Sequence, residues 1–474
     1  MKRFITLISL FIGVQLSAQH EMSLFLANHL HQSQRVNPAH IQPHKFNIAL
    51  PNIGFDYYNS SFRLIDFFRK EGNTWNVEPE EAILDLENTN NRVGQHTRFE
   101  TLSLAIKFGK WQLSGAHSLQ LETHARYPRN LMEFAWYGNG NYVGDSLSIG
   151  PGFDMSSYHE WMLGVAYQAN EKWSFGTNIK LLVGLFSIKT MRSNVNVYTD
   201  PEYYQLTTDT DILIYTSGLG SGLLTGEGNS DTFVFTDPAE LVIRQNLGLA
   251  VDLGATYKYN DQWTFSASAT NLGAISWQDT TYQHTSKGRY TFDGVDANPF
   301  SSDADIDFEE VIDTIEQTFE FEEMGQTFST PLSPSFFLQA NYKTSNGYDI
   351  GGILSGRWYN GQFAPAIAVN AKRPLGKHLN VGAFLGYRAM TGGNLGFHAD
   401  VNFGGFQAYF LTDDLFTILL PDYGRGTNIR MGINICLGRK GAKNEEVVDP
   451  ETGKDLSKEK KDKKVIDSFF NRKN

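Results

Sequence analysis

"YQANEKWSFG" (167–176) and "YKYNDQWTFS" (257–266) repeat one pattern ninety residues apart. In each, an apolar/polar alternation arrives at a Tyr, a short polar turn follows, and the alternation resumes from a Trp. "IKFGKWQLSG" (106–115) is a tighter version of the same hairpin. From Trp111, the residues Trp111, Leu113, Leu119 and Leu121 share one face, opposite Gln112, Ser114, Ser118, Gln120 and Glu122. Trp173, Phe175, Ile179, Leu181 and Val183 stand against Ser174, Asn178 and Lys180. Leu247, Leu249, Val251, Leu253 and Tyr257 stand against Asp252, Thr256 and Lys258, and "NIRMGINICLG" (428–438) alternates in the same way. This is the two-residue period of a strand, not the 3.6 of a helix.

Alternation sustained for ten or more residues fits a soluble sheet packed on a core, or a membrane barrel with its apolar face on lipid. Globular strands are shorter, about 5–6 residues at the mode. The aromatics point to the barrel: Trp111, Trp173 and Trp263 each follow a short turn on the apolar face, where an interfacial girdle lies. Strands are expected at 44–57, 97–108, 111–125, 157–169, 173–190, 246–259, 263–277, 333–343, 347–359, 362–373, 378–391, 393–403, 404–413 and 427–438. That gives an all-β, antiparallel transmembrane barrel of about fourteen strands. The short connections at 109–110, 170–172, 260–262, 344–346, 374–377 and the Gly404-Gly405 step fall on one side, and the long ones (58–96, 126–156, 191–245, 278–332, 414–426) on the other, as periplasmic turns and extracellular loops do. The segment 195–216 is expected to leave the strand count open by two. His117 falls on the lipid face, which implies a bulge nearby.

"MKRFITLISLFIGVQLSAQ" opens the chain with a basic start, an apolar run and small residues, the pattern of a secretory signal peptide over 1–18. Export fits the destination of a barrel in a Gram-negative outer membrane. The single Cys436 excludes an internal disulfide framework. A formal charge of −12 argues against nucleic acid as a partner. With 44 Gly, 34 Phe and 21 Tyr, the composition leans to strands and turns. The tail 439–474, with mixed charges and little apolar pattern, reads as disordered and periplasmic. Its Val465-Ile466 and Phe469-Phe470 pairs suggest a docking point for a periplasmic protein.

The segment "HQSQRVNPAHIQPHKFNIALPNIGFDY" (31–57), with Gln34, Asn37, Pro38 and Ala39, resembles the opening of a Bacteroidota family of outer-membrane barrels of unknown function. "LTDDLFTILLPDYGRGTNIRMGINICLG" (411–438) resembles the closing hairpin of that family. "LGLAVDLGATYKYNDQWTFSASATNLGAISW" (247–277) resembles a mid-barrel hairpin of the wider long-chain fatty-acid transporter superfamily. The resemblance implies fourteen strands and an N-terminal hatch (19–43) folded into the lumen of a barrel spanning 44–438, with Asn37-Pro38-Ala39 at the turn of the hatch. It supplies no catalytic residue and no cofactor, and the chain is read as a non-enzyme.

His20, His29, His31, His40 and His44 cluster near the mature N-terminus. With no Cys and few acids beside them, and nothing to fix their geometry, they read as a polar hatch, and no metal is assigned. Ten acids in 302–325 suggest calcium, but an EF-hand Gly is missing, and Phe308, Ile312, Ile315 and Phe319 recur at helical spacing, as in a helix capping the mouth. Gly218, Gly220 and Gly222 lack a nucleotide fingerprint's third glycine and its βαβ unit. Leu131, Phe134, Trp136 and Tyr137 are too apolar for a free outer loop, and with Asn37 and Pro38 they form the expected ligand path, the loop residues packing on the hatch or lining an apolar site. The leading expectation is passage of a small hydrophobic or amphipathic solute, in contact with outer-membrane lipid. The alternative is a closed structural barrel that recruits surface lipoproteins or a secretion or gliding machine through its loops or tail.

Overall fold

A computed structural model describes residues 21–71, 74–218, 245–292, 321–359, 361–389, 391–420 and 424–438. The signal peptide, Gly220, Gly222, the acidic run to residue 320 and the charged tail lie outside the described residues, as do the helix expected over Phe308–Phe319 and any docking through the tail.

Among the described residues, fourteen antiparallel strands close into a barrel. The first is split, Phe46–Ala49 and Asn52–Asn59, and is followed by Asn91–Phe108, Trp111–Tyr127, Gly152–Gln168, Trp173–Thr199, Leu247–Lys258 and Trp263–Trp277. The second half is Ser335–Lys343, Asp349–Tyr359, Gln362–Leu375, Leu379–Arg388, Gly392–Phe403, Phe406–Thr412 and Gly426–Leu437. Closure joins first to last, with Phe46 opposite Leu437 and Ile53 opposite Met431. The first strand breaks at Leu50-Pro51, since Pro has no N–H for the ladder.

Side chains are sorted inside out relative to a soluble sheet. Leu163, Leu249, Val369 and Leu385 on the outer wall are 61–73% exposed, while Ser118, Gln120, Asn178, Lys180, Asp252 and Asn434 face inward and are at most 2% exposed. Water outside would leave that apolar belt unsatisfied, and only acyl chains match it. The protein is an outer-membrane barrel. No helix among the described residues is long and apolar enough to cross a membrane.

The repeated hairpin has a chemical cause. Asn170 Oδ1 accepts the backbone N–H groups of Lys172 and Trp173 (2.9 and 2.8 Å), and Asn260 Oδ1 accepts those of Gln262 and Trp263 (3.0 and 2.7 Å). Each Asn thus closes its turn through its own side chain. The Trp then lies beside a Tyr in direct register on the next strand: Trp111 with Tyr167 (ring centroids 4.3 Å), Trp173 with Tyr257 (4.4 Å) and Trp263 with Tyr342 (5.0 Å). Three neighbouring turns of the barrel rim thus carry the same Trp–Tyr pair by repeating one hairpin.

Three expectations change. Several strands run beyond the membrane, most of all Trp173–Thr199. The 195–216 segment adds no membrane strands: Leu206–Gly218 pairs with the upper part of Trp173–Thr199 and with Thr281–Phe292, which continues from Trp263–Trp277, in a sheet standing above the barrel wall. The bulge inferred near His117 sits on the partner strand, where the register shifts between Glu100 and Leu102 and leaves Thr101 out. His117 stays on the outer wall, bonded to Thr101 Oγ1 (2.8 Å) and to His159 (3.0 Å).

Candidate functional site: a lumen closed by the N-terminal hatch

A fourteen-stranded barrel is too wide for wall side chains alone to fill; about eight strands is the size at which they do. Here residues 21–43 occupy the space. Met22–Leu26 forms a short helix, His31–Arg35 a 3₁₀ turn, and nearly every side chain between Met22 and Ala39 is buried. The path then turns at Asn37-Pro38-Ala39, as expected: Asn37 Oδ1 accepts the N–H of Ala39 (2.9 Å), and the Asn37 carbonyl accepts that of His40 (3.1 Å). The wall residues beneath this turn are Gly176 and Gly254, where a Cβ would collide with Pro38 and Asn37.

One face of the hatch is apolar. Phe25 stacks on Phe337 (4.9 Å) among Leu24, Leu30, Val36, Tyr409 and Leu411. Met22 and Leu26 pack on Ile353, Ala366, Ala368 and Phe384. The other contacts are polar. Asp413 accepts the N–H groups of Met22 and Ser23 (3.1 and 2.8 Å), which the helix start leaves without internal acceptors. Lys372 Nζ donates to the Leu26 carbonyl and to Asn28 (2.9 Å each), and Gln32 and Asn434 exchange two amide bonds (2.7 and 3.0 Å). Arg35 is ion-paired with Glu100 and, at 3.4 Å, with Glu160. Glu160 also meets Lys180 (3.7 Å), which binds Asp252 (2.9 Å). Glu21 bridges Arg430 and Arg98.

Electrostatics follow burial and neighbours. Burial by itself would raise the Glu21 carboxyl, but Arg430 and Arg98 outweigh it and hold it well below the usual carboxylate range. Burial, reinforced by Arg35, lowers His31 to about 3; burial, reinforced by Lys372, lowers His40 to about 3. Both imidazoles are therefore neutral when docked. Burial raises Asp413 to about 6, against the opposing pull of Ser23 and Arg388. The hatch histidines gather no metal set: no group of three or more ligand-type side chains suited to a metal occurs among the described residues.

The six residues of the expected ligand path do not come together. Asn37 and Pro38 lie deep in the hatch, near the short-turn rim marked by Trp173. Leu131, Phe134, Trp136 and Tyr137 lie on the helix Arg129–Tyr137 at the opposite end, half-buried or exposed, packed beside Glu80–Leu84 and not on the hatch. Trp136 Nε1 donates to Glu80 (3.3 Å), and Glu133 holds Arg129 (2.7 Å) and the Tyr142 hydroxyl (3.0 Å).

Glu21, Arg35, Glu100, Glu160 and Asp413 went unseen in the sequence. A signal was there: Glu160 in "YHEWML", Lys180 in "NIKLLV" and Asp252 in "AVDLG" are charges set between apolar residues at lumen positions.

A family model described as a family of unknown function (DUF5723) matches residues 38–413. The chain belongs to this family. Its DUF5723 region begins at the hatch turn and ends at Asp413, so it takes in thirteen of the fourteen wall strands and the residue that caps the hatch helix, but not the closing strand Gly426–Leu437. No curated protein matches the chain. Among solved structures, the DUF5723 barrel is similar to the Pseudomonas putida toluene transporter TodX, at 8% identity, covering 89% of this chain and 94% of that one, with a TM-score of 0.40. A TodX mutant described as a monoaromatic hydrocarbon channel gives 10% identity, 89% and 95% coverage and a TM-score of 0.41. A Pseudomonas aeruginosa FadL homologue gives 8%, 84% and 92%, and 0.34.

Proposed function

We propose that the barrel is a gated channel admitting a small amphipathic solute, with the hatch as the gate. The observation that carries this reading is that the lumen is shut by a terminal segment held through ion pairs and amide bonds. A permanent plug gains little from such contacts, because apolar side chains of equal volume are often as stable or more so. Polar contacts, however, re-form with water when the segment leaves, which lowers the cost of opening. The amphipathic character of the solute rests on the outer mouth. Tyr137, Leu84, Phe416 and Leu419 expose apolar surface on the outer loops, above a lumen lined by Arg98, Arg430 and Glu122.

The test is uptake of single-chain amphiphiles and of glycerol-sized polar solutes into proteoliposomes, comparing the protein with its Arg35→Met variant. Faster amphiphile entry in the variant supports a gate. Equal entry to protein-free vesicles for both proteins refutes it. That outcome would favour the second reading, a closed barrel whose exposed outer-loop apolar residues seat a protein partner, and co-purification from native membranes would then show that partner in stoichiometric amount.

A further inference from the structure

Above the hatch, at the extracellular mouth, lies a polar cavity of about 620 Å³ whose walls include Arg92, Arg126, Arg192, Asn90, Asn194 and Gln362. Arg92 and Arg126 are direct cross-strand partners. Like charges placed opposite one another destabilise a sheet. Arg92 is also only 8% exposed, and its one side-chain hydrogen bond among the described residues is to Asn90 Oδ1 (3.0 Å). Among the described residues neither guanidinium is held in an ion pair, whereas Arg192 has Asp211 at 2.7 Å. The nearby acids, Glu87 and Asp154, act on Arg92 only at a distance. A buried cation beside a like charge, facing a cavity with no carboxylate bonded to it, is an unfinished arrangement; elsewhere in this lumen Arg35, Arg98, Arg388 and Arg430 all have their acids.

We propose that this vestibule binds a compact oxyanion (carboxylate, phosphate or sulfate) borne at the head of the amphipathic solute, with Arg92 and Arg126 as its ligands. Planar guanidiniums bind such groups in pairs of parallel hydrogen bonds, and the bound charge removes the repulsion between the two side chains. Arg192, already paired, adds field and not a primary contact. The proposal rests on the channel reading for the solute's apolar part, but the anion site itself is an equilibrium property of the closed barrel.

The experiment measures binding of inorganic phosphate, of octyl phosphate and of octanol to the detergent-solubilised full chain, in anion-poor buffer and neutral detergent, by calorimetry and by shift of the melting temperature. Arg126→Gln is the variant of choice because Arg126 is exposed and bonded to no described residue. The expected result is phosphate and octyl phosphate binding, weakened about tenfold or more in Arg126→Gln, with octanol indifferent to the substitution. In anion-free buffer the variant should melt at the same temperature or higher, since repulsion is relieved. Tighter binding of octyl phosphate than of phosphate identifies the amphiphile head as the source; equal affinity identifies a free anion. Unchanged affinity in Arg126→Gln, or a lower melting temperature without anion, overturns the proposal. If anions bind as expected but no amphiphile crosses in the vesicle assay, the channel reading fails and the vestibule stands; if amphiphiles cross and anions do not bind, the reverse holds.

Discussion

Replacing Arg35 by Met should unlock the hatch without unfolding the barrel. Arg35 is 6% exposed and sits between two wall carboxylates on separate strands. With its charge gone, Glu160 keeps Lys180 at 3.7 Å, but Glu100 keeps only the amide of Asn52 (2.9 Å). Removing one member of a buried pair costs about 3–5 kcal/mol, because the other is left charged in a dry site. The cost falls on the docked state alone, since an undocked hatch lets water reach both carboxylates. The docked-to-open ratio should therefore drop between about one hundred and a few thousand fold. Ser33 reports this directly: it is fully buried on the hatch, and Cys is nearly its size. In a Cys436→Ser background, Ser33→Cys should react with a membrane-impermeant maleimide at a rate set by the open fraction. Arg35→Met should raise that rate by the stated factor while the folded barrel still migrates differently from the boiled one. An unchanged rate with an intact barrel would mean the hatch is a fixed plug, and the argument from reversible polar contacts would fail.

Acid should loosen the same contact. His31 and His40, at about 3 when docked and near 6.5 when free, take up protons only on release, so docking stability is complete above pH 6.5 and is lost as pH falls towards 3. Asp413, raised to about 6 from 3.8, acts in the opposite sense between those values. Two histidines against one carboxyl leave a net loss of about 2–3 kcal/mol from pH 7 to pH 5, read as faster maleimide labelling of the Ser33→Cys variant, an acceleration that His40→Asn reduces. Asn170→Ala and Asn260→Ala each remove two hydrogen bonds from an exposed turn and should lower unfolding stability in denaturant by about 1 kcal/mol or somewhat more apiece, additively. Leu163→Arg, on the outer wall, should cost about 2–4 kcal/mol in lipid vesicles, the penalty of a cation facing hydrocarbon.

What was legible in the sequence was whatever repeats locally. Two-residue alternation reports which wall of a strand each side chain occupies, so the strands and their number could be read from residues such as Leu247 to Leu253 without any contact information. The short polar turns before Trp173 and Trp263 were readable too, but not that Asn170 and Asn260 close them with their own side chains. The hatch site was not readable, because Arg35 meets Glu100 and Glu160 across 65 and 125 residues and only barrel closure brings them together. Nor does alternation say where a strand leaves the membrane: Val195 and Val197 keep a two-residue period above the wall, where the strand pairs with Leu206–Gly218. The apolar content of Leu131 to Tyr137 calls for cover, which the sequence alone assigns to the hatch or to an apolar site; another loop helix, Glu80–Leu84, supplies part of it.

The measurement that bears most directly on the whole account is a single-cysteine nitroxide scan of residues 175–182 in lipid bilayers, in a Cys436→Ser background. Labels at Phe175, Thr177, Ile179 and Leu181 should collide readily with oxygen dissolved in the bilayer and hardly at all with a water-soluble nickel reagent, while those at Asn178, Lys180 and Leu182 should be shielded from oxygen. Oxygen accessibility without a two-residue period, or odd-numbered labels open to nickel, would contradict a barrel whose apolar wall faces lipid.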